Sequence, residues 1–389
     1  MRLPKAGLRL GASRVIEQGT LMLGAVLLAR VSTPSEYAPV AVLLTVSSAS
    51  LTLADLGLGV QVLRVPEAGI PRLFRRPLLV SAAIGLAVTV LSLLLPIGRD
   101  QVLIGVSLGL MWSLSTVLNV ARSLALQQRR EQLQLCATIS ASVGFLAAVL
   151  LLPSSIAVVA GVALVARSLI ELALLIPLLG LSSAEEPHDW KVFFNQLLAF
   201  VGTNLDFVIV AAALGPEAFA LYLLAFRVSA GPTAVLATVF TRIGASRLAS
   251  MEPSIRSTKL RGWLRIGFGL GVLVALGIAA VSPLLGWLLG GEWASIGDIV
   301  RILAIATPFR LIHGLLGSSF LVEKADHLLL RIELVRVMAS IVVLWVAAQL
   351  GLLTLSFAVV LVSAVAVAWT WRTLDSQTDI NLRRSLPIG

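Results

Sequence analysis

Apolar runs of about 20 residues follow one another from residue 13 to residue 374, with short hydrophilic stretches between them. A run of that length, wound as a helix, crosses the hydrocarbon core of a bilayer. In hydrocarbon every backbone N–H and C=O must be satisfied inside the spanning structure, which leaves helices or a closed barrel. The alternating pattern of a barrel strand is absent, so the runs read as helices. Twelve spans are expected, at 13–31, 38–63, 77–98, 101–121, 132–152, 155–180, 191–214, 217–243, 262–290, 294–322, 327–351 and 353–374. Composition agrees: 58% of the 389 residues are hydrophobic and 13% are charged, too apolar for a water-soluble chain of this length.

The basic residues test the count. Arg64, Arg72, Arg75 and Arg76 follow the second run; Arg122, Arg129 and Arg130 follow the fourth; Arg242, Arg247, Arg256, Lys259, Arg261 and Arg265 follow the eighth; Arg372, Arg383 and Arg384 follow the twelfth. The opposite loops are nearly bare, as at Leu152-Pro153-Ser154-Ser155 and Gly215-Pro216-Glu217. This alternation is what a twelve-span, multi-pass membrane protein with both termini cytoplasmic demands. It also accounts for the net charge of +10 without nucleic acid as a partner. Arg2, Lys5, Arg9 and Arg14 precede a first run that lacks a small-residue cleavage site, so that run reads as a retained span.

The chain reads as one unit written twice. Ser32-Thr33-Pro34-Ser35-Glu36-Tyr37-Ala38 has a counterpart about 182 residues on, at Gly215-Pro216-Glu217-Ala218-Phe219-Ala220. At that offset Pro34 meets Pro216, Tyr37 meets Phe219, Ala38 meets Ala220 and Ser47 meets Ser229. The expected divisions are an N-terminal six-helix half (1–181), a cytoplasmic linker (182–190) and a C-terminal six-helix half (191–389). Six spans per repeat give two halves of the same orientation. The fold class expected is an all-α polytopic membrane protein, about 12 transmembrane helices in two six-helix repeats around a central cavity.

Charges inside the spans are costly and point to function or to pairing. Asp55 stands with Gly57 and Gly59 at the end of the second run. Arg167 and Glu171 are four apart on one helix face and can pair. Asp206 lies ten residues before Pro216 and Arg227 eleven after it, which sets them at about one depth on neighbouring antiparallel helices, placed for an ion pair. That pair can serve helix orientation alone or function as well. Arg301 has Asp298 within a turn; Arg310 has no carboxylate within a turn, and His313 follows it by three. Glu17 and Arg14 stand in the first span, Arg331, Glu333 and Arg336 in the eleventh. Arginine exceeds carboxylate in this set, so a cavity of positive character is expected, although Arg14, Arg331 and Arg336 can also reach the inner surface by snorkelling. Cys136 and the three histidines make no metal-ligand spacing, and no phosphate-cradling Gly-x-x-x-x-Gly-Lys sequence occurs. No cofactor, metal or catalytic residue is expected.

The Asp55-Leu56-Gly57-Leu58-Gly59 ending and the Leu214-Gly215-Pro216-Glu217-Ala218-Phe219-Ala220-Leu221-Tyr222 turn after an Asp-bearing seventh span resemble one known group. It is the polysaccharide and O-antigen-unit flippases of the multidrug/oligosaccharidyl-lipid/polysaccharide (MOP) exporter superfamily. Ala38 and Ala220 depart from the glycine expected in many relatives. The resemblance implies a transporter, not an enzyme, of the bacterial cytoplasmic (inner) membrane that flips an undecaprenyl-diphosphate-linked oligosaccharide repeat unit from the inner to the outer leaflet for lipopolysaccharide or other surface polysaccharide biosynthesis. It implies a lipid-linked oligosaccharide and the bilayer as partners, with polysaccharide polymerase and ligase in the same pathway. Arg301, Arg310 and Arg227 are then the candidates to meet the diphosphate. Asp55, Asp206, Glu17, Arg167 and Glu171 are the candidates for ion coupling or ion pairing. Two alternatives stay open: a small-molecule or drug cation antiporter of the same superfamily, and a membrane glycosyl or phosphate transferase. The first calls for a cavity of carboxylates and aromatics, the second for an acidic or histidine cluster in a loop.

Overall fold

The computed structural model describes residues 5–53, 75–94, 101–128, 130–152, 155–178, 190–249, 253–322 and 326–385. Among them the regular structure is helical throughout: α1 Lys5–Arg30, α2 Pro34–Leu53, α3 Arg75–Leu94, α4 Gln101–Gln127, α5 Glu131–Leu151, α6 Ile156–Leu175, α7 Trp190–Ala249, α8 Pro253–Leu289, α9 Ile296–Ala304, α10 Thr307–Val322, α11 Asp326–Gln349 and α12 Leu352–Ser385. Seven described helices are long and apolar enough to cross a membrane, α7 counted once, and the bent pair α9–α10 makes an eighth. The chain is an all-α polytopic membrane protein. Asp55, the two glycines after it and nearly all of the expected linker 182–190 lie outside the described residues.

Two breaks have local causes. α7 merges the expected seventh and eighth spans, but Gly215 has φ +84°, in the left-handed region that only glycine enters at little cost. Pro216 follows and starts the second arm where a missing N–H leaves no helical bond unmade. The arms are α7a (190–214) and α7b (216–249). The expected tenth span, 294–322, is two helices: α9 and α10 meet at Ile305 and Ala306 with a bend of 42°. Thr307-Pro308 restarts the helix, again with proline in a first turn.

The chain packs as two compact units, residues 1–200 and 201–389. In the first, α4 and α6 are central: α3 and α2 lie on α4, α2 and α5 lie on α6, and α1 lies on α5. Leu118, Ala121 and Leu124 of α4 pack with Ala137 of α5 and Leu175 of α6. Contacts between small residues bring backbones close, as at Gly85 and Gly109 of α3 and α4, beside a hydroxyl bond between Ser81 and Thr116. Leu86, Val143 and Leu150 point outward, as lipid-facing positions do.

In the second unit, α8 packs on α9 and α10, and α12 packs on α9, α10 and α11. Leu311, Leu315 and Phe320 of α10 meet Ile332 of α11 and Val367 of α12. A Cβ on Gly271 of α8 would run into the backbone of Pro308, so the Gly267–Gly271 spacing serves helix packing. The repeated turns bury equivalent side chains: Tyr37 and Phe219, Ala38 and Ala220, and Ser47 and Ser229 are all buried in their own units.

Candidate functional site: buried charges and a polar cavity

In the first unit five charges from three helices form one network. Glu17 of α1 accepts from Arg14 (2.7 Å), from Arg122 of α4 (3.0 Å) and from Arg167 of α6 (2.8 Å). Glu171 of α6 accepts from Nε and Nη2 of Arg122, both at 2.7 Å. Arg122, Arg167, Glu17 and Glu171 are all buried. The expected Arg167–Glu171 pair is therefore not the one formed. One turn of α6 sends its cation to Glu17 and its carboxylate to Arg122, because side chains from α1 and α4 reach that face and offer a bidentate partner. Arg122, expected in a cytoplasmic loop, is inside α4. Leu124, Ala125 and Leu126 carry the apolar run past it, a signal that the loop assignment overlooked.

In the second unit a cavity of about 400 Å³ is lined by α7a, α7b, α10, α11 and α12. Its charged and titratable lining side chains are Asp206, Arg310, His313 and Arg336. Asp206 accepts from the Tyr222 hydroxyl across the α7 break, at 2.5 Å, and from the Phe207 N–H at 3.1 Å. Glu333 joins two partners: His313 Nε2 lies 3.1 Å from Oε1, and Arg336 donates to Oε2 from Nε (2.9 Å) and Nη2 (2.5 Å). Arg336 also donates to the Gly202 carbonyl at 3.1 Å, tying α11 to α7a. Ser340 and Ser363 line the cavity but donate to carbonyls of their own helices.

Arg310 differs from every other cation in this set. Its Cζ stands 4.6 Å from the centroid of the Phe226 ring, a cation–π contact, and Phe226 packs edge-to-face on Phe207. Nη1 is buried without a hydrogen-bond partner, and among the described residues no carboxylate forms an ion pair with this guanidinium. Asp206 is held by Tyr222 instead of by Arg227, so the expected Asp206–Arg227 pair is not formed. Equal depth was the wrong criterion, since the long phenol of Tyr222 reaches Asp206 from four residues nearer the turn.

Arg301 and Arg227 are not among the residues lining the cavity. Arg301 is 48% exposed at its side chain, bonded to Asp298 (3.0 Å) and to Ser282 Oγ (3.0 Å). Of the three arginines expected to form one anion cavity, the structure places Arg310 there. It adds Arg336, for which sequence reasoning left snorkelling open as an alternative, and there Arg336 is bonded to Glu333. Among the described residues no three His, Cys, Asp or Glu side chains gather as a metal ion would need.

Tyr222→Phe should leave the buried Asp206 carboxylate without its hydroxyl donor and lower stability by about 1–3 kcal/mol. In the Asp206→Asn background the same change should cost clearly less. A thermal-melt double-mutant cycle reads the difference, and fully additive losses would show that the two side chains do not interact.

The helices and their breaks define a class, a polytopic α-helical membrane protein of two compact units. No protein-family model and no curated protein matches the sequence. Solved structures do. A multidrug resistance MATE family transporter of the MOP superfamily, inward-facing, is 14% identical with a TM-score of 0.74, over 98% of this chain and 100% of that one. The lipid II flippase MurJ, inward closed, is 13% identical with a TM-score of 0.70, over 95% and 87%. A MOP superfamily transporter from Pyrococcus furiosus, described as having a binding pocket of reversed polarity, is 13% identical with a TM-score of 0.68, over 96% of each chain. The chain has the fold of the MOP superfamily transporters.

Proposed function

We propose that this protein is a bacterial inner-membrane transporter that flips an undecaprenyl-diphosphate-linked oligosaccharide unit to the outer leaflet by alternating access, for surface polysaccharide assembly. The observation that carries this reading is Arg310: a guanidinium lining a cavity in an apolar protein, with no carboxylate ion pair among the described residues. An arginine at membrane depth that no carboxylate grips directly calls for water or an anion. The guanidinium fork matches phosphate oxygens, and a diphosphate cannot cross hydrocarbon alone. A cavity of about 400 Å³ has the volume of a small-ligand site, enough for a diphosphate and its first sugar. The polyprenyl tail then stays in lipid. The fold it shares with the lipid II flippase MurJ supports the same substrate class.

One observation favours the second reading, a small-molecule cation antiporter. Asp206, Tyr222, Phe207 and Phe226 put a carboxylate and three aromatic rings side by side, a combination suited to an organic cation. Deleting the gene and extracting lipid-linked oligosaccharides separates the two. The flippase reading expects complete repeat units to accumulate while surface polymer is lost. Unchanged intermediates and polymer, with the polysaccharide locus active, would transfer the reading to the antiporter.

A further inference from the structure

We propose that the end of the second unit where α7b stops and α8 begins holds the phosphate of an anionic phospholipid from the surrounding leaflet. The site lies outside the cavity, and the inference does not depend on what that cavity carries. Residues 253–265 of α8 include Arg256, Lys259, Arg261 and Arg265 and no carboxylate. Lys259, Arg261 and Arg265 are exposed, as is Arg372 of α12. Arg261 and Arg265 are one turn apart, a spacing at which like charges repel unless an anion lies between them. Among the described residues neither Arg265 nor Arg372 forms an ion pair or a side-chain hydrogen bond.

These cations stand on a packed base and not on a loop. The Arg261 guanidinium lies over the Trp371 ring, Cζ 5.8 Å from its centroid. That contact brings the turn of α12 that carries Arg372 against the turn of α8 that carries Arg261. Trp263 meets Phe240 of α7b edge-on, with ring centroids 5.4 Å apart. Phe240, Leu260 and Leu374 are buried in one cluster, and Trp263 and Trp371 pack against it. The depth is that of a lipid headgroup. The apolar segment of α8, Lys259–Leu289, has 31 residues; it rises about 46 Å against a hydrocarbon core of about 30 Å. Its first turns therefore reach the headgroup layer, where indole rings settle. Ile266 and Phe268, exposed just beyond Arg265, offer apolar surface to an acyl chain. A guanidinium stacked on a ring still presents its N–H edge to phosphate oxygens. Basic clusters between spanning helices attract anionic headgroups in this way. Free phosphate shares the oxygens but brings no chain, and the choline of a zwitterionic lipid offsets the attraction.

The test titrates the full chain in detergent with phosphatidylglycerol, with phosphatidylcholine of the same chains, or with inorganic phosphate, and counts bound molecules by native mass spectrometry. Wild type should retain phosphatidylglycerol at concentrations at least about tenfold below those needed for phosphatidylcholine. Inorganic phosphate should not displace it. Arg265→Gln should weaken retention about fivefold, and Arg265→Gln with Arg372→Gln about twenty-fivefold. Both side chains are exposed, so melting curves without lipid should match wild type. Arg301→Gln, which removes a charge held by Asp298 on another helix, should bind as wild type does. A reading free of substitutions stands beside these. In nanodiscs, brominated phosphatidylglycerol should quench the tryptophan fluorescence of wild type more than brominated phosphatidylcholine at equal mole fraction. Equal retention of the two lipids, equal quenching by them, displacement by inorganic phosphate, wild-type retention by the double variant, or the same loss in Arg301→Gln would each overturn the proposal. None of these outcomes bears on the lipid-linked units that accumulate in the deletion strain, so the transport reading stands or falls separately.

Discussion

Arg122→Met should destabilise the N-terminal unit by about 3–5 kcal/mol, the cost of leaving a buried carboxylate without its cation. Glu171 draws both of its hydrogen-bonded N–H groups from Arg122, since Arg167, one turn earlier on the same helix, is committed to Glu17. Glu17 would keep Arg14 and Arg167; Glu171 would keep neither a charge nor a donor. Arg14→Met should cost far less, because that side chain is partly exposed and supplies one of three donors to Glu17. Removing the stranded charge along with its partner, in Arg122→Met with Glu171→Leu, should recover most of the loss, since a well-packed apolar replacement of a buried pair is often neutral. Melting curves of the purified protein check this order. Arg122→Met melting like wild type would show that the network contributes nothing to folding.

Arg310→Ala should lower export of the surface polymer by at least about a hundredfold, the loss of two charge-assisted hydrogen bonds of roughly 1.5–3 kcal/mol each to an anion. Its folding penalty should be modest, because Nη1 of the guanidinium has no hydrogen-bond partner and the side chain gives up its contact with Phe226, about 0.5–2 kcal/mol, and a longer-range attraction to Asp206. Arg310→Lys should restore export only in part, as a point charge replaces a fork that can grip two oxygens at once. Arg301→Ala should export normally, since that side chain is exposed and already held by Asp298. Quantifying polymer and membrane-inserted protein in the same cells separates lost transport from lost protein. Equal export by wild type and Arg310→Ala would remove the anion from the cavity.

The long apolar helices and the restart after Gly215 were legible in the sequence, because burial in lipid forces long apolar runs and because glycine followed by proline marks a turn; the helix ends were not, since α1, α8 and α12 run on into polar residues. The bend between α9 and α10 was less so: Thr307-Pro308 sits inside a continuous apolar run, and hydropathy does not register it. The candidate site was legible as a set of residues and illegible as a set of pairs. Spacing along one helix suggested Arg167 with Glu171, yet helices α1, α4 and α6 converge and the better-aligned partners are Arg122 and Glu17. Depth suggested Asp206 with Arg227, yet a phenol was in reach. An excess of arginine over carboxylate pointed to a broadly positive cavity. Pairing across helices reduces it to Arg310, since Arg336 is spent on Glu333 and Arg301 on Asp298. Sequence distance carries no information on which helices are neighbours, and neighbours decide where a buried charge finds its partner.

The most direct test of the account is the flipping reaction itself. The protein would be reconstituted into vesicles carrying an undecaprenyl-diphosphate oligosaccharide, with the outer leaflet sampled by a membrane-impermeant sugar-modifying enzyme. The account predicts that wild-type vesicles expose sugar from the inner leaflet over time, while Arg310→Ala vesicles stay at the level of protein-free ones. Sugar exposure that proceeds equally with Arg310→Ala, or that never rises above protein-free vesicles with wild type, would contradict it.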